Sequence, residues 1–237
     1  MNYQGLRDWL AKIDARGELT TLEDVDWNLE MGAIVDVLYR EHPPYPPALL
    51  FDRIKDHAKG FRALFGHFAS PKRIALTLGV DERFDHVLEF TRMYHEKIKH
   101  CVPVPMTEVK SGPVHQNVQE NDQVNLWEFP SPLLHEKDGG RYLGTGHLVI
   151  TKDPDSSWIN VGTYRIMSQD QNTAGIYIVR ESTPSFTNKN TSRRTDRCRS
   201  TSCLAAIRSI GSPPPARSRL ESASSISPAV LEESPLK

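Results

Sequence analysis

The chain has 237 residues, 38% of them hydrophobic, and its 29 basic and 30 acidic side chains leave a formal net charge of -1. This length allows one large or two small domains, and the balanced charge gives no reason to expect a nucleic-acid partner. No apolar run approaches the roughly 18 residues that a membrane helix needs, so we expect no membrane partner. The N-terminal residues lack the features of a signal peptide, and the three cysteines have no framework spacing. Both observations favour a cytoplasmic protein.

Residues 1–105 have the pattern of a mixed α/β domain. Apolar side chains recur at helical spacing, and Gly17 and Gly79 are typical helix ends. Ser70 followed by Pro71 is a typical helix start. In chain order the predicted elements are a helix from residue 6 that Gly17 ends, a strand over 18–22, a helix over 30–40, a strand over 48–51, a helix that begins at Pro71 and ends near Gly79, and a helix over 84–99.

Residues 106–181 change in character, because strand patterns separated by turn clusters dominate them. We predict the start of a β-rich, barrel-like domain. The strand candidates are Val109 and residues 114–118, 143–150, 159–167 and 174–179.

Residues 182–237 change again. Thirteen of these 56 residues are serine, and nine Lys or Arg stand against four Asp or Glu. Such a segment buries too little apolar surface to offset the entropy of ordering it. We therefore predict a disordered tail, or a sequence foreign to the preceding domain.

The polar side chains of Asn160 and Arg165 stand out within the predicted strand over 159–167. A straight strand would point them to opposite faces, so a shared site requires a bend or an end between them, which Gly162 permits. Asn160 is either a ligand for a hard cation or an amide that satisfies a turn. Arg165 either binds a phosphate or carboxylate through two parallel N–H donors, or forms one half of a surface ion pair.

The histidines are weaker candidates for a site. We interpret His115 and His147 as core or interface residues on strands. His135 and Glu136 are neighbours in sequence that rarely share one face, so we interpret them as loop residues.

Several motifs together resemble the UbiD family of decarboxylases, over roughly residues 3–179. The strongest are Leu134-His135-Glu136-Lys137-Asp138-Gly139-Gly140-Arg141-Tyr142 and Asn160-Val161-Gly162-Thr163-Tyr164-Arg165. Weaker matching segments are residues 6–10, 17–19, 47–51, 65–76, 113–118 and 129–130.

This resemblance implies an α+β fold, in which an N-terminal α/β domain precedes a flavin-binding split β-barrel. Here residues 106–181 would form only part of that barrel. The resemblance also implies prenylated FMN as the cofactor, with Mn²⁺ and possibly K⁺. In that case Asn160 would ligate the metal, and Arg165 would bind the substrate carboxylate as the catalytic arginine. The residues that would line the flavin are Thr145, Thr163, Tyr164, Arg165 and Ile178.

The reaction implied by the family is loss of CO₂ from an aromatic or α,β-unsaturated carboxylic acid, with the cofactor as electron sink. Its partners would be that small acid, a flavin prenyltransferase that supplies the cofactor, and further copies of the chain in a homo-oligomer. The role would lie in aromatic acid metabolism.

The sequence departs from the family pattern after the last predicted strand. The family has a metal-ligating histidine in the next turn, but residues 179–184 contain none, and no histidine follows His147. The glutamates that ligate the metal and partner the arginine also have no counterpart. One interpretation is an active enzyme that takes the missing ligands from a partner chain. The other is a truncated or frame-shifted, non-catalytic fragment, at most a binding or accessory subunit.

Overall fold

The computed structural model describes residue 3 and residues 5–41, 44–102, 110–112, 115–144, 147–152, 159–176 and 200–203. These residues divide into two compact units. The first contains the described residues up to 102 together with 127–141, and the second contains the others. Helices and strands are both present, which confirms the α+β class. Within the described ranges, every helix falls short of the length and hydropathy required to cross a membrane.

The first unit is built on a three-stranded sheet with the order β1-β2-β3. β1 and β2 are parallel, with Leu19 opposite Ala48, and β3 is antiparallel to β2. Parallel neighbours require a crossover connection, which α2 provides. The elements are α1 (Leu6–Asp14), β1 (Leu19–Glu23), α2 (Glu30–Glu41), β2 (Ala48–Asp52), β3 (Ala63–Phe65), α3 (Pro71–Leu78) and α4 (Val87–Lys99).

The predicted helix ends are confirmed by their backbone conformations. Gly17 has φ of 69°, and its amide donates to the carbonyl of Asp14 at 2.8 Å. Gly79 has φ of 65° directly after α3. Only glycine adopts this left-handed conformation without steric cost. At the start of α3, the Ser70 hydroxyl accepts the Arg73 amide and Pro71 occupies the first turn.

Two details of the first unit differ from the prediction. The helix predicted over 84–99 begins at Val87, because His86 is extended and its ring accepts the amide of Leu88 as a cap. β3 was not predicted, since three residues are too few to display an alternating pattern.

The core of the first unit contains a buried arginine, Arg73, which is only 1% exposed. Its guanidinium pairs with Glu18 at 3.2 Å and donates to the backbone carbonyls of Pro46 and Gly66. These partners offset the cost of burying a charge. Trp9 is also fully buried and donates its indole N–H to the Thr77 hydroxyl at 3.0 Å.

The remaining strands form two three-stranded sheets with the orders β4-β7-β8 and β6-β5-β9. β5 is antiparallel to both β6 and β9, and β7 is antiparallel to β8. Two short 3-10 helices, Asn121–Gln123 and Leu126–Glu128, precede them. The strands are β4 (Arg141–Gly144), β5 (Leu148–Lys152), β6 (Ile159–Gly162), β7 (Ile166–Ser168), β8 (Ala174–Ile176) and β9 (Ser200–Cys203). Closure of these sheets into a split barrel stays a prediction.

The strand predictions for this part were too coarse. The strand predicted over 143–150 is two strands, β4 and β5, and the strand predicted over 159–167 is also two, β6 and β7. Residues 115–118 form no strand. Val109, Val114 and residues 177–179 lie outside the described residues.

The segment 182–237, predicted to be disordered, contributes one strand. Residues 200–203 form β9, with Thr201 opposite Ile150 of β5. The prediction of a disordered tail stays a prediction for the segment as a whole. The rest of this segment lies outside the described residues.

Candidate functional site

The chain changes sheets between Asn160 and Arg165. β6 ends at Gly162 and β7 begins at Ile166, so residues 163–165 belong to no strand. β6 lies in the sheet with β5, whereas β7 lies in the sheet with β4 and β8. The predicted interruption at Gly162 is therefore confirmed, and the short segment 163–165 carries three of the six predicted site residues.

Gly162 lets the ring of Tyr164 approach the backbone closely. A methyl group added to Gly162 would lie 2.5 Å from one ring carbon of Tyr164 and 2.9 Å from its hydroxyl oxygen. Any larger residue at position 162 would have to displace this ring. The glycine thus sets the position of the Tyr164 ring as well as allowing the strand to end.

Arg165 is exposed and lies directly before the buried start of β7. Ile166 and Ser168 are each 4% exposed, whereas Arg165, which precedes the strand, is exposed to solvent. The central guanidinium carbon of Arg165 lies 5.8 Å from the centre of the Tyr142 ring on β4. Among the described residues no carboxylate forms an ion pair with Arg165, so the interpretation of this arginine as one half of a surface ion pair gains no support.

The other predicted site residues are placed in part. Asn160 lies on β6 opposite Thr151 in the β5 register. Thr163 is exposed and Tyr164 is half-buried. Thr145 and Ile178 lie outside the described residues, so their assignment to the flavin site stays a prediction.

His147 is buried, as we predicted for a core histidine, although it precedes β5 rather than lying on it. It is 5% exposed, and neither ring nitrogen has a hydrogen-bond partner in the described part of the chain. Burial lowers the pKa of His147, which favours the neutral ring. His115, by contrast, is exposed in a turn after Gly112, so its interpretation as a core residue on a strand was wrong, while an interface role stays a prediction.

Arg141, in the first unit, is a second arginine that lies next to aromatic rings. We did not predict this cluster. The central guanidinium carbon of Arg141 is 3.8 Å from the Trp27 ring centre and 5.0 Å from that of Trp127. The guanidinium also donates to the carbonyl of Ser131 at 2.7 Å and contacts Nε2 of His57 at 3.3 Å. Burial lowers the pKa of Arg141. The only sequence signal was the position of Arg141 within the glycine-rich motif.

His135 and Glu136 lie in a turn, as interpreted from the sequence. The His135 ring approaches Asp36 at 3.4 Å and Asp138 at 3.8 Å, and its side chain is 59% exposed. Across the described residues, no three His, Cys, Asp or Glu side chains cluster closely enough to hold a metal ion. The metal-ligand role of Asn160 therefore stays a prediction.

Comparison with known proteins identifies the family. Residues 10–91 match the model for the N-terminal domain of 3-octaprenyl-4-hydroxybenzoate carboxy-lyase. Residues 106–215 match the Rift-related domain of the same enzyme. The chain belongs to the UbiD family. The second UbiD match continues past residue 181, where we had ended the partial barrel, so that boundary stays a prediction.

Curated UbiD-type relatives include decarboxylases from bacteria and yeast. The pyrrole-2-carboxylic acid decarboxylase of Pseudomonas aeruginosa is 34% identical over 175 residues, which cover 70% of this chain and 34% of the relative. The ferulic acid decarboxylase 1 of Saccharomyces cerevisiae is 30% identical over 188 residues, which cover 73% of this chain and 36% of the relative. The chain thus spans about a third of the length of these curated relatives.

Solved UbiD-class structures share the fold. Vanillic acid decarboxylase of Sedimentibacter hydroxybenzoicus superposes with a TM-score of 0.66 at 25% identity, covering 83% of this chain and 40% of that one. An evolved dimeric form of HmfF from Pelotomaculum thermopropionicum, in complex with prenylated FMN, gives a TM-score of 0.60 at 25% identity. That alignment covers 74% of this chain and 38% of HmfF.

Proposed function

We propose that this chain supplies the carboxylate- and flavin-binding part of a decarboxylase that removes CO₂ from an aromatic or α,β-unsaturated carboxylic acid. The observation that carries the proposal is the setting of Arg165, which is exposed and has no carboxylate partner among the described residues. An arginine in this state presents its N–H donors to an incoming anion. A carboxylate is the anion whose two oxygens best match the guanidinium fork.

In this function Arg165 binds and orients the acid. Holding the carboxylate in one geometry removes rotational freedom before reaction. Its positive charge also keeps the acid ionised, as loss of CO₂ requires.

The residues beside Arg165 fit a flavin nucleotide in their chemistry. Thr163 offers an exposed hydroxyl and Tyr164 a half-buried phenol, and both are hydrogen-bonding groups suited to phosphate or ring oxygens. We assign them to the cofactor together with Thr145 and Ile178. The dimeric HmfF relative was solved in complex with prenylated FMN, which supports this cofactor. When bound, prenylated FMN supplies an electron sink for the pair of electrons that CO₂ leaves behind.

A divalent ion, Mn²⁺ in our proposal and possibly with K⁺ nearby, would take the amide oxygen of Asn160 as one ligand. Hard cations accept amide and carboxylate oxygens. Because the described residues offer no cluster of further ligands, we derive no step of the reaction through the metal.

The proposal is tested by co-expressing the chain with a flavin prenyltransferase and measuring visible absorbance and CO₂ release. We expect Arg165→Ala to abolish CO₂ release. The matched control is Arg83→Ala, because the Arg83 side chain is 90% exposed in the first unit and pairs with Asp81. Unchanged CO₂ release from Arg165→Ala would refute the role of Arg165.

The substrate is sought with a panel of acids. The curated and solved relatives are named for pyrrole-2-carboxylic, ferulic and vanillic acid. The panel therefore contains heteroaromatic acids, cinnamate-type acids and benzoates with a para-hydroxyl group, together with phthalate-type acids.

A second candidate function is a non-catalytic binding subunit. It is favoured by the absence of histidine from residues 179–184, where the family pattern places a metal ligand. A chain that retains flavin, gives no CO₂ with any acid of the panel and co-purifies with an intact relative would support this alternative.

A further inference from the structure

The Tyr142 ring lies close to the Arg165 guanidinium in the described part of the second unit. It lies on β4, which neighbours β7 in the sheet, and Arg165 is the residue directly before β7. The guanidinium carbon lies 5.8 Å from the centre of the Tyr142 ring, within the roughly 6 Å over which an aromatic face attracts a cation.

Among the described residues no hydrogen bond or ion pair restrains the Arg165 side chain, so this contact limits its positions. Arginine loses considerable rotamer freedom when it binds a ligand, and that loss weakens binding. An aromatic platform that already holds the guanidinium reduces the loss. The ring takes no conventional hydrogen bond, so the N–H donors of Arg165 stay available to an anion.

The two residues of this contact differ in conformational freedom. Tyr142 is half-buried within a strand, whereas Arg165 is exposed on a segment that belongs to no strand. The strand-held ring therefore restrains the arginine rather than the reverse.

We propose that Tyr142 is a positioning residue that holds the Arg165 guanidinium ready for the carboxylate of the substrate. This inference rests on the proposed function, because it gives Arg165 the carboxylate as its ligand. It adds a residue that acts through Arg165 and needs an aromatic ring rather than a hydroxyl group.

The first measurement tests the contact without reference to activity. The full chain is labelled with ¹⁵N, and the Nε–Hε signal of Arg165 is assigned by its disappearance in Arg165→Lys. Protons over an aromatic face are shifted upfield by the ring current. We expect this shift in the wild-type chain and in Tyr142→Phe, and its loss in Tyr142→Leu.

The second measurement uses the same signal to titrate 4-hydroxybenzoate. Loss of the ring contact should weaken binding about 2- to 5-fold in Tyr142→Leu, which corresponds to about 0.5–1 kcal/mol. Tyr142→Phe should bind as the wild-type chain does. Tyr45→Leu is the control for loss of a tyrosine elsewhere, because Tyr45 is 57% exposed in the first unit.

The outcomes separate the two proposals. An unshifted Arg165 signal in the wild-type chain, or equal affinities for wild type and Tyr142→Leu, overturns the role of Tyr142 alone. If 4-hydroxybenzoate does not bind, the titration is repeated with the other acids of the panel. If none of them binds, or if the acid binds Arg165→Lys and Arg165→Ala as well as wild type, the proposed function fails and the role of Tyr142 fails with it. The inference is supported if Tyr142→Leu loses the upfield shift and binds 4-hydroxybenzoate more weakly, while Tyr142→Phe keeps the shift and the wild-type affinity.

Discussion

The two units of the chain differ in how much apolar surface they bury. Sixteen apolar side chains are buried in the first unit, most of them in three clusters. Among the side chains of the second unit that the structure describes, which exclude those of residues 151–160 and 200–203, only Val149 and Ile166 are buried apolar ones. The second unit instead carries the exposed Thr163 and Arg165. Substitutions in the first unit should therefore act on stability, and substitutions around Arg165 should act on ligand binding.

The largest effect is expected from Trp9→Ala. Trp9 is fully buried in the first unit and donates to Thr77, so its loss creates a cavity and should lower the free energy of unfolding by about 3–5 kcal/mol. Trp9→Phe keeps an aromatic ring but leaves Thr77 without its donor, and should cost about 1–3 kcal/mol. Urea unfolding followed by circular dichroism measures both. An unchanged midpoint for Trp9→Ala would contradict the burial of Trp9 in the core of the first unit.

Gly32→Ala should also destabilise the first unit, although alanine is normally favoured over glycine within a helix. A methyl group on Gly32 would lie 2.1 Å from the carbonyl oxygen of Leu134, which is backbone and cannot rotate away. We expect a loss of about 1–3 kcal/mol from this overpacking. Thermal unfolding measures it, with Gly112→Ala as the control because no atom lies within 4 Å of a methyl group there. If Gly32→Ala stabilises the chain instead, the Leu134 backbone must shift to make room for the methyl group.

The stability of the chain should fall at acidic pH because His147 of the second unit is buried. Burial lowers the pKa of His147 below its ordinary value of 6.5. Between the lowered pKa and about pH 6.5 the unfolded chain binds a proton that the folded chain excludes. Stability is therefore fully present above this window and falls as the pH falls through it.

The slope of that loss is at most about 1.4 kcal/mol per pH unit for one histidine. His147→Gln should reduce the slope in urea unfolding between pH 7.5 and 5.5. His67 gives the parallel test in the first unit, where burial and the charge of Arg73 lower the pKa of His67. If His147→Gln shows the same dependence of unfolding free energy on pH as the wild-type chain, the His147 ring is protonated in the folded chain without loss of stability.

The smallest effect on stability is expected from Arg165→Ala. The side chain is exposed and its described partner is one aromatic ring, so the free energy of unfolding should change by no more than about 1 kcal/mol. The same variant should lose 4-hydroxybenzoate binding. A large loss of stability would mean that Arg165 holds the fold, and the contrast between the two units would then not extend to this residue.

Local patterns predicted much of this protein. The helix ends at Gly17 and Gly79, the start of α3 at Ser70 and the strand break at Gly162 follow from conformational preferences of single residues and their neighbours. The motif ending at Arg165 also indicates the family from the sequence alone. Such features are local, so a few adjacent residues are enough to specify them.

Tertiary structure alone decided which residues meet. The Tyr142 ring beside Arg165, the indole rings of Trp27 and Trp127 beside Arg141 and the Leu134 carbonyl against Gly32 each join residues far apart in the chain. No periodic pattern marks these pairs, because strand order and loop paths bring them together. The burial of Arg73 has the same origin, since its partners Glu18 and Pro46 lie in the segments that lead into β1 and β2.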